Sequence, residues 1–291
     1  MRSPNFWGMA VRTPTGELDL RAERFRSVTR RSKLFRLPII RGALSLGETL
    51  WLGMKALTLS TNIALGEEED LSKKEIAFTL GFALVLGFGL FLVAPVLGTK
   101  GIGTLLHASI QNPVLFNLVE GAIRIAIFIA YLIGITLISK DVKRFFAYHG
   151  AEHKAIKVYE RGEELIPENA RELNTSHVRC GTSFILYVLV LSILVFSLLG
   201  VEGWLFMVLS RLLVIPLVAG IAFEFIMWSA RHQENPIVQI LVWPGLQLQK
   251  LTTREPTDDQ VEVAMASLKK VLSMEEEAKI TPDEATNKLV I

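Results

Sequence analysis

The sequence predicts an all-α integral membrane protein with four transmembrane helices, an interfacial amphipathic helix and a cytoplasmic helical loop, and three observations lead there. Mean hydropathy is +0.40 although 21% of residues are charged, so apolar and charged segments must alternate along the chain rather than mix into one soluble core. Four stretches are apolar enough to cross a hydrocarbon core of about 30 Å, which takes about 20 helical residues. Lysine and arginine are distributed very unevenly between those stretches.

Residues 1–38 are basic and polar and lack the compact apolar run of a signal peptide, so insertion is expected to begin with an internal helix. Residues 21–41 are rich in arginine, which fits attraction to anionic lipid headgroups; no nucleic-acid partner is expected. The segment Ile39–Leu65 is apolar but carries Arg41, Glu48 and Lys55 at seven-residue spacing, which holds all three charges on one helical face. That pattern predicts an interfacial helix, with a re-entrant helix or a full span as alternatives.

The four spans are placed at Ile76–Leu97, Leu118–Ser139, Phe184–Gly200 and Trp204–Trp228, the last two joined by Val201–Gly203 as a tight hairpin. Lysines and arginines number 13 before the first span, one in the first loop, eight in the second, none in the third and seven in the tail. The bias predicts a multi-pass protein of the cytoplasmic membrane with both termini and the 140–183 loop inside. In the tail, Thr257 and Gln260 form a capping-box pattern ahead of Val261, Ala264, Leu268 and Val271 at helical spacing, and fraying is expected past Met274. The chain thus divides into a basic region with the interfacial helix (1–75), a membrane domain including the loop (76–228) and a cytoplasmic tail (229–291).

Cys180 is the single cysteine, which excludes a disulfide-stapled fold. The loop contains His149-Gly150-Ala151-Glu152-His153, an H-x-x-E-H arrangement. On a helix the two histidines lie one turn apart on one face with Glu152 beside them, the spacing that in inverted zincins supplies two zinc ligands and a general base. Gly150 counts against a clean helix there. His177 and Cys180 are candidates to complete a zinc set; four protein ligands would close the site as a structural one, and three would leave a position for water. The alternative is loop histidines that pack the loop or bind lipid phosphate, with Cys180 a buried inert thiol rather than a nucleophile. Among charges inside spans, Glu120, Arg124 and Arg211 suggest an outer-leaflet cluster, and Glu224 is placed to face the histidines. Pro216 is expected to kink the fourth span.

Tyr148–Lys154 (YHGAEHK), Arg179–Phe184 (RCGTSF), Pro38–Gly42 (PIIRG), Gly53–Leu57 (GMKAL), Pro244–Leu246 (PGL), Leu251–Pro256 (LTTREP) and the Met1–Pro4 start together resemble the bacterial YqhQ-type membrane protein family, a domain of unknown function, over nearly the whole chain. The family is described as predicted metal-dependent enzymes, which implies His149, Glu152, His153, His177 and Cys180 as the positions that carry the chemistry. The resemblance also implies a glycine-rich segment ahead of the Met-Arg-Ser-Pro start. The leading expectation is therefore a metal-dependent, hydrolase-like membrane enzyme acting at the cytoplasmic face on a lipid-linked or peptide substrate. A non-catalytic membrane scaffold with a structural His/Cys site is the second, and an oligomeric transporter the third.

Overall fold

The computed structural model describes residues 1–65, 73–105, 112–199 and 204–278; within them the side chains of 65, 73, 76, 113, 199 and 204–212 are not described. The protein is mostly helical, and three helices are long and apolar enough to cross a membrane: Ala77–Leu105, Val114–Ile138 and Gly181–Leu198. Even the shortest, at 18 residues, reaches about 27 Å at about 1.5 Å per residue.

The first of these is longer than its sequence pattern suggested. Helix α2 (Lys73–Phe88) runs through a π turn, Gly89–Val93, into α3 (Ala94–Leu105) without a break. Pro95 has no N–H to offer the carbonyl four residues back, that of Phe91, and Arg124 of α4 (Pro113–Ile138) donates its Nε to that oxygen at 2.9 Å. The same guanidinium pairs with Glu120, one turn earlier on α4, and both side chains are buried. Arg124 therefore joins α4 to the π turn. Arg124→Leu is expected to cost about 3–5 kcal/mol, the scale for stranding one partner of a buried pair, and to lower the melting temperature in detergent; a melting temperature equal to that of the parent protein would contradict this role. Arg211 lies outside the described side chains, so its expected place beside this pair is not addressed.

The all-α expectation needs one correction. Residues Phe6–Arg12 (β1) and Leu18–Arg24 (β2) form an antiparallel hairpin, paired from Phe6 opposite Arg24 to Arg12 opposite Leu18. The run Phe6–Val11 is uncharged, and both of its faces are covered. Trp7, Met9 and Val11 pack with Leu52, Leu59 and Ile63 of α1 (Ile40–Leu65), while Gly8 meets Val271 of α10 (Asp258–Glu277) and accepts a hydrogen bond from Ser267. A strand buried on both faces reads as an apolar run without alternation, so it carries no period-two signal.

Helix α1 uses its charged face differently from expectation. Arg41 pairs with Glu224 at 2.6 Å, Glu48 with Arg2 at 2.7 Å, and Lys55 with Glu23 at 2.5 Å, so all three heptad-spaced charges meet protein partners. Glu224 is thereby committed to α1 and does not face the histidines. Leu50, Trp51 and Leu57 of α1 are left exposed.

Helix α7 (Gly181–Leu199) packs between α4 and α8 (Trp204–Ser229), and α8 continues through Pro216 to pack against α1. Gly42 and Gly220 allow that last contact, since a Cβ on Gly220 would stand 2.3 Å from the carbonyl oxygen of Ile39. At the end where α4 stops and α7 starts, α5 (Lys140–Glu160), α6 (Pro167–Ala170) and α10 build a separate core from Ala151, Ala155, Val158, Leu173, Val261 and Met265. Helix α9 (Pro236–Thr252) bridges this layer to the spans, with Leu248 against Phe128 and Leu132. Val261, Ala264, Leu268 and Val271 are all buried, as their spacing predicts, and Thr257 N donates to Gln260 Oε1 at 3.0 Å. Fraying past Met274 does not begin at once: Glu275 is buried and bonded to Ser3 and Asn5. Residues 279–291, where disorder is expected, fall outside the described residues.

Candidate metal centre

Helix α5 starts cleanly because Ser139 caps it, accepting from Val142 N at 3.2 Å, and Asp141 lies in its first turn. The helix runs unbroken through Gly150. Its glycine answers a packing demand: a Cβ there would stand 2.2 Å from the carbonyl oxygen of Arg254, whose own N–H bonds to Phe146 O at 2.9 Å. The end of α9 at Thr252 and the non-helical segment Thr253–Glu255 behind it are thus pressed against α5 at the level of the histidines.

That segment orients the site. His149 Nδ1 lies 2.8 Å from the carbonyl oxygen of Thr252, and His153 Nδ1 lies 2.5 Å from that of Thr175. A carbonyl only accepts, so each Nδ1 carries a proton, and each Nε2 is the nitrogen left to bind a metal once any proton on it is displaced. Carbonyl-oriented imidazoles of this kind are the usual outer layer of a histidine metal site. The two rings lie 4.5 Å apart between centroids.

Cys180 meets them from the start of α7, where its carbonyl takes the Phe184 N–H and its sulfur lies 3.4 Å from Thr182 N. The sulfur is 3.3 Å from His149 Nε2, and one donor atom from each of His149, His153 and Cys180 lies within 4.8 Å of the others. Zinc bonds of about 2.0–2.1 Å to nitrogen and about 2.3 Å to sulfur place tetrahedral donors about 3.5 Å apart, close to the Cys180–His149 separation, and the most separated pair would close by up to about 1.3 Å. His153 and Cys180 are fully buried, and His153 Nε2 has no hydrogen-bond partner. An orphaned buried acceptor costs about 1–3 kcal/mol, which a cation at the convergence point would relieve.

Without a metal the three groups share protons. Burial pushes the Cys180 thiol up, but the imidazoles of His149 and His153 beside it overcome that and pull it down to about 5. Burial pushes His149 down, and the adjoining Cys180 and Glu152 outweigh it, raising His149 to about 9. His153 is lowered by burial. The metal-free state is a thiolate–imidazolium pair beside a neutral imidazole.

The other candidate positions are placed as follows. Glu152 is half-buried and makes no hydrogen bond or ion pair among the described residues, although its charge acts on His149. His177 is not gathered into the group. Its ring lies 5.7 Å from that of His153, its Nε2 is 3.2 Å from Glu160 Oε2, and its Nδ1 accepts from Arg179 N. Glu160 also pairs with Arg179, so its carboxylate is occupied. Gln249 was not singled out in the sequence, yet it is fully buried and holds the His177 backbone by both N–H and C=O while donating to Ser183. Thr175 and Thr252 also went unnoticed, because backbone carbonyls carry no residue-type signature. The one available hint was the distinctive Leu251–Pro256 block.

Comparison with known proteins identifies the family of the chain. A family model described as protein of unknown function (DUF1385) matches residues 37–274, which include all five candidate positions. The uncharacterized protein YqhQ of Bacillus subtilis (strain 168) is 32% identical over 252 residues, covering 82% of this chain and 78% of that protein. No solved structure matches the chain. With one family model spanning most of its length and a relative this similar, the chain belongs to the DUF1385 family.

Proposed function

We propose that the protein is a membrane-embedded, metal-dependent enzyme of hydrolase type, with His149, His153 and Cys180 as zinc ligands and Glu152 as general base. The observation that carries this reading is the convergence of the Nε2 atoms of two carbonyl-oriented imidazoles and one sulfur on a buried point where His153 Nε2 has no other partner. Three protein ligands leave a fourth position for water, and zinc held there supplies a Lewis acid that lowers the pKa of that water. Glu152, one residue from His153 and without a hydrogen-bonding partner among the described residues, is the group available to take the proton.

In this reading α8 is the fourth span, and the excess of Lys and Arg in the N-terminal region, the 140–183 loop and the tail puts the site at the cytoplasmic face of the plasma membrane. The arginine-rich 21–41 segment then lies against anionic lipid headgroups. A transporter has less support, because Arg124 with Glu120 and Arg41 with Glu224 neutralise each other pairwise. Complete burial of His153 and Cys180 favours a second reading, a closed structural metal in a non-catalytic membrane scaffold.

Elemental analysis of purified protein tests the metal directly. One equivalent of zinc is expected, absent from the His149→Ala, His153→Ala double variant; metal-free protein that retains its cellular function would refute the proposal. Glu152→Gln separates the two readings. The enzyme reading expects loss of cellular function with fold and metal retained, whereas the scaffold expects function to survive.

A further inference from the structure

The segment His177–Gly181 is a partition. On one side His177 and Val178 face a polar cleft of about 430 Å³ with Lys157, Glu160 and Arg161. On the other, Cys180 forms part of the wall of an apolar cavity of about 90 Å³ between α1, α7 and α8, with Ser45, Thr49, Phe184, Phe223 and Met227. Arg179 also borders the cavity but pairs with Glu160, and most of the lining surface is carbon. Its size is of the order of an engineered apolar cavity of about 150 Å³ that stays dry and takes up benzene. Water has few partners there.

The surroundings indicate what fills it. Leu50 and Trp51 on α1, Ile185 on α7 and Trp228 on α8, one or two residues along the chain from the lining, are exposed large apolar groups, and α7 is one of the helices able to cross a membrane. The cavity therefore opens among side chains that suit hydrocarbon, and a lipid chain is the solvent on that side. We propose that this cavity receives the end of a hydrocarbon chain from a membrane amphiphile. Placing the reacting bond at the partition, beside His149, His153 and Cys180, rests on the metal-enzyme reading; the chain site itself does not.

The test uses the full chain in phosphatidylcholine vesicles doped with a phosphatidylcholine whose acyl chain ends in a diazirine. After irradiation, adducts are mapped by mass spectrometry. Adducts are expected on Phe184, Phe223 or Met227, with a severalfold loss in Ser45→Phe and in Thr49→Phe, either of which fills the cavity. Adducts on outward Leu50 and Ile185 should be unchanged, and the melting temperature of each variant reports folding. Labelling confined to the outward residues, or cavity labelling unchanged in a folded variant, would overturn the chain site. Zinc content of the same samples keeps the two ideas apart. Cavity labelling without zinc leaves the chain site standing and removes the metal reading, and zinc without cavity labelling does the reverse.

Discussion

Cys180→Ser is expected to lower zinc affinity on the order of a thousandfold. Structural zinc sites bind with about 10–16 kcal/mol, so one of three protein ligands accounts for roughly 4 kcal/mol, and a serine hydroxyl does not replace a thiolate at neutral pH. The pH dependence in the parent protein follows from the protons the metal must displace. Cys180, pulled down to about 5, is already a thiolate at pH 7, while His149, raised to about 9, still holds a proton on the nitrogen the metal needs. Between pH 5 and 9 binding thus releases one proton, and affinity should rise about tenfold per pH unit, flatten above 9 and steepen below 5. Cys180→Ser removes the thiolate that raises His149, so the flattening should move toward lower pH. Competition with a chromophoric chelator across pH 5–9 measures both effects. A pH-independent affinity would mean that the thiolate–imidazolium pair does not exist.

Gly150→Ala is expected to destabilise the protein by about 1–2 kcal/mol, against the ordinary effect of that substitution in a helix. Helix propensity alone favours alanine by about 1 kcal/mol. The added Cβ would meet the Arg254 carbonyl oxygen at 2.2 Å, a contact that cannot persist, and the neighbour is backbone tied to Phe146. The 252–255 segment would have to retreat, at a cost typical of overpacking, and it would take the Thr252 carbonyl away from His149. Zinc affinity should fall with stability, since second-layer losses cost about 10–100-fold. Gly47→Ala, in α1 with nothing within 4 Å of its added Cβ, is the matched control and should be neutral or stabilising. Equal melting temperatures for Gly150→Ala and the parent would show that the segment yields freely.

Much of the protein was legible in the chain itself. The apolar helices follow from composition, because a bilayer demands long uninterrupted apolar helices and little else produces them. His149 and His153 share a helical face by spacing alone, and the Thr257–Gln260 cap with the stripe behind it predicted α10. These are local regularities, set by interactions a few residues long.

What only the tertiary structure decided depends on residues far apart. Cys180 rather than His177 stands with the two histidines because α7 starts there while Glu160 and Gln249 hold His177 aside, and no spacing rule carries that choice. The same holds for the hairpin hidden in an apolar run between α1 and α10, and for the protein partners that the charges of α1 meet. Gly150, a mark against the helix in sequence terms, is what lets Thr252 reach His149. Periodicity reports which residues share a face; what that face meets is settled by backbone groups and long-range packing, which leave no residue-type signature.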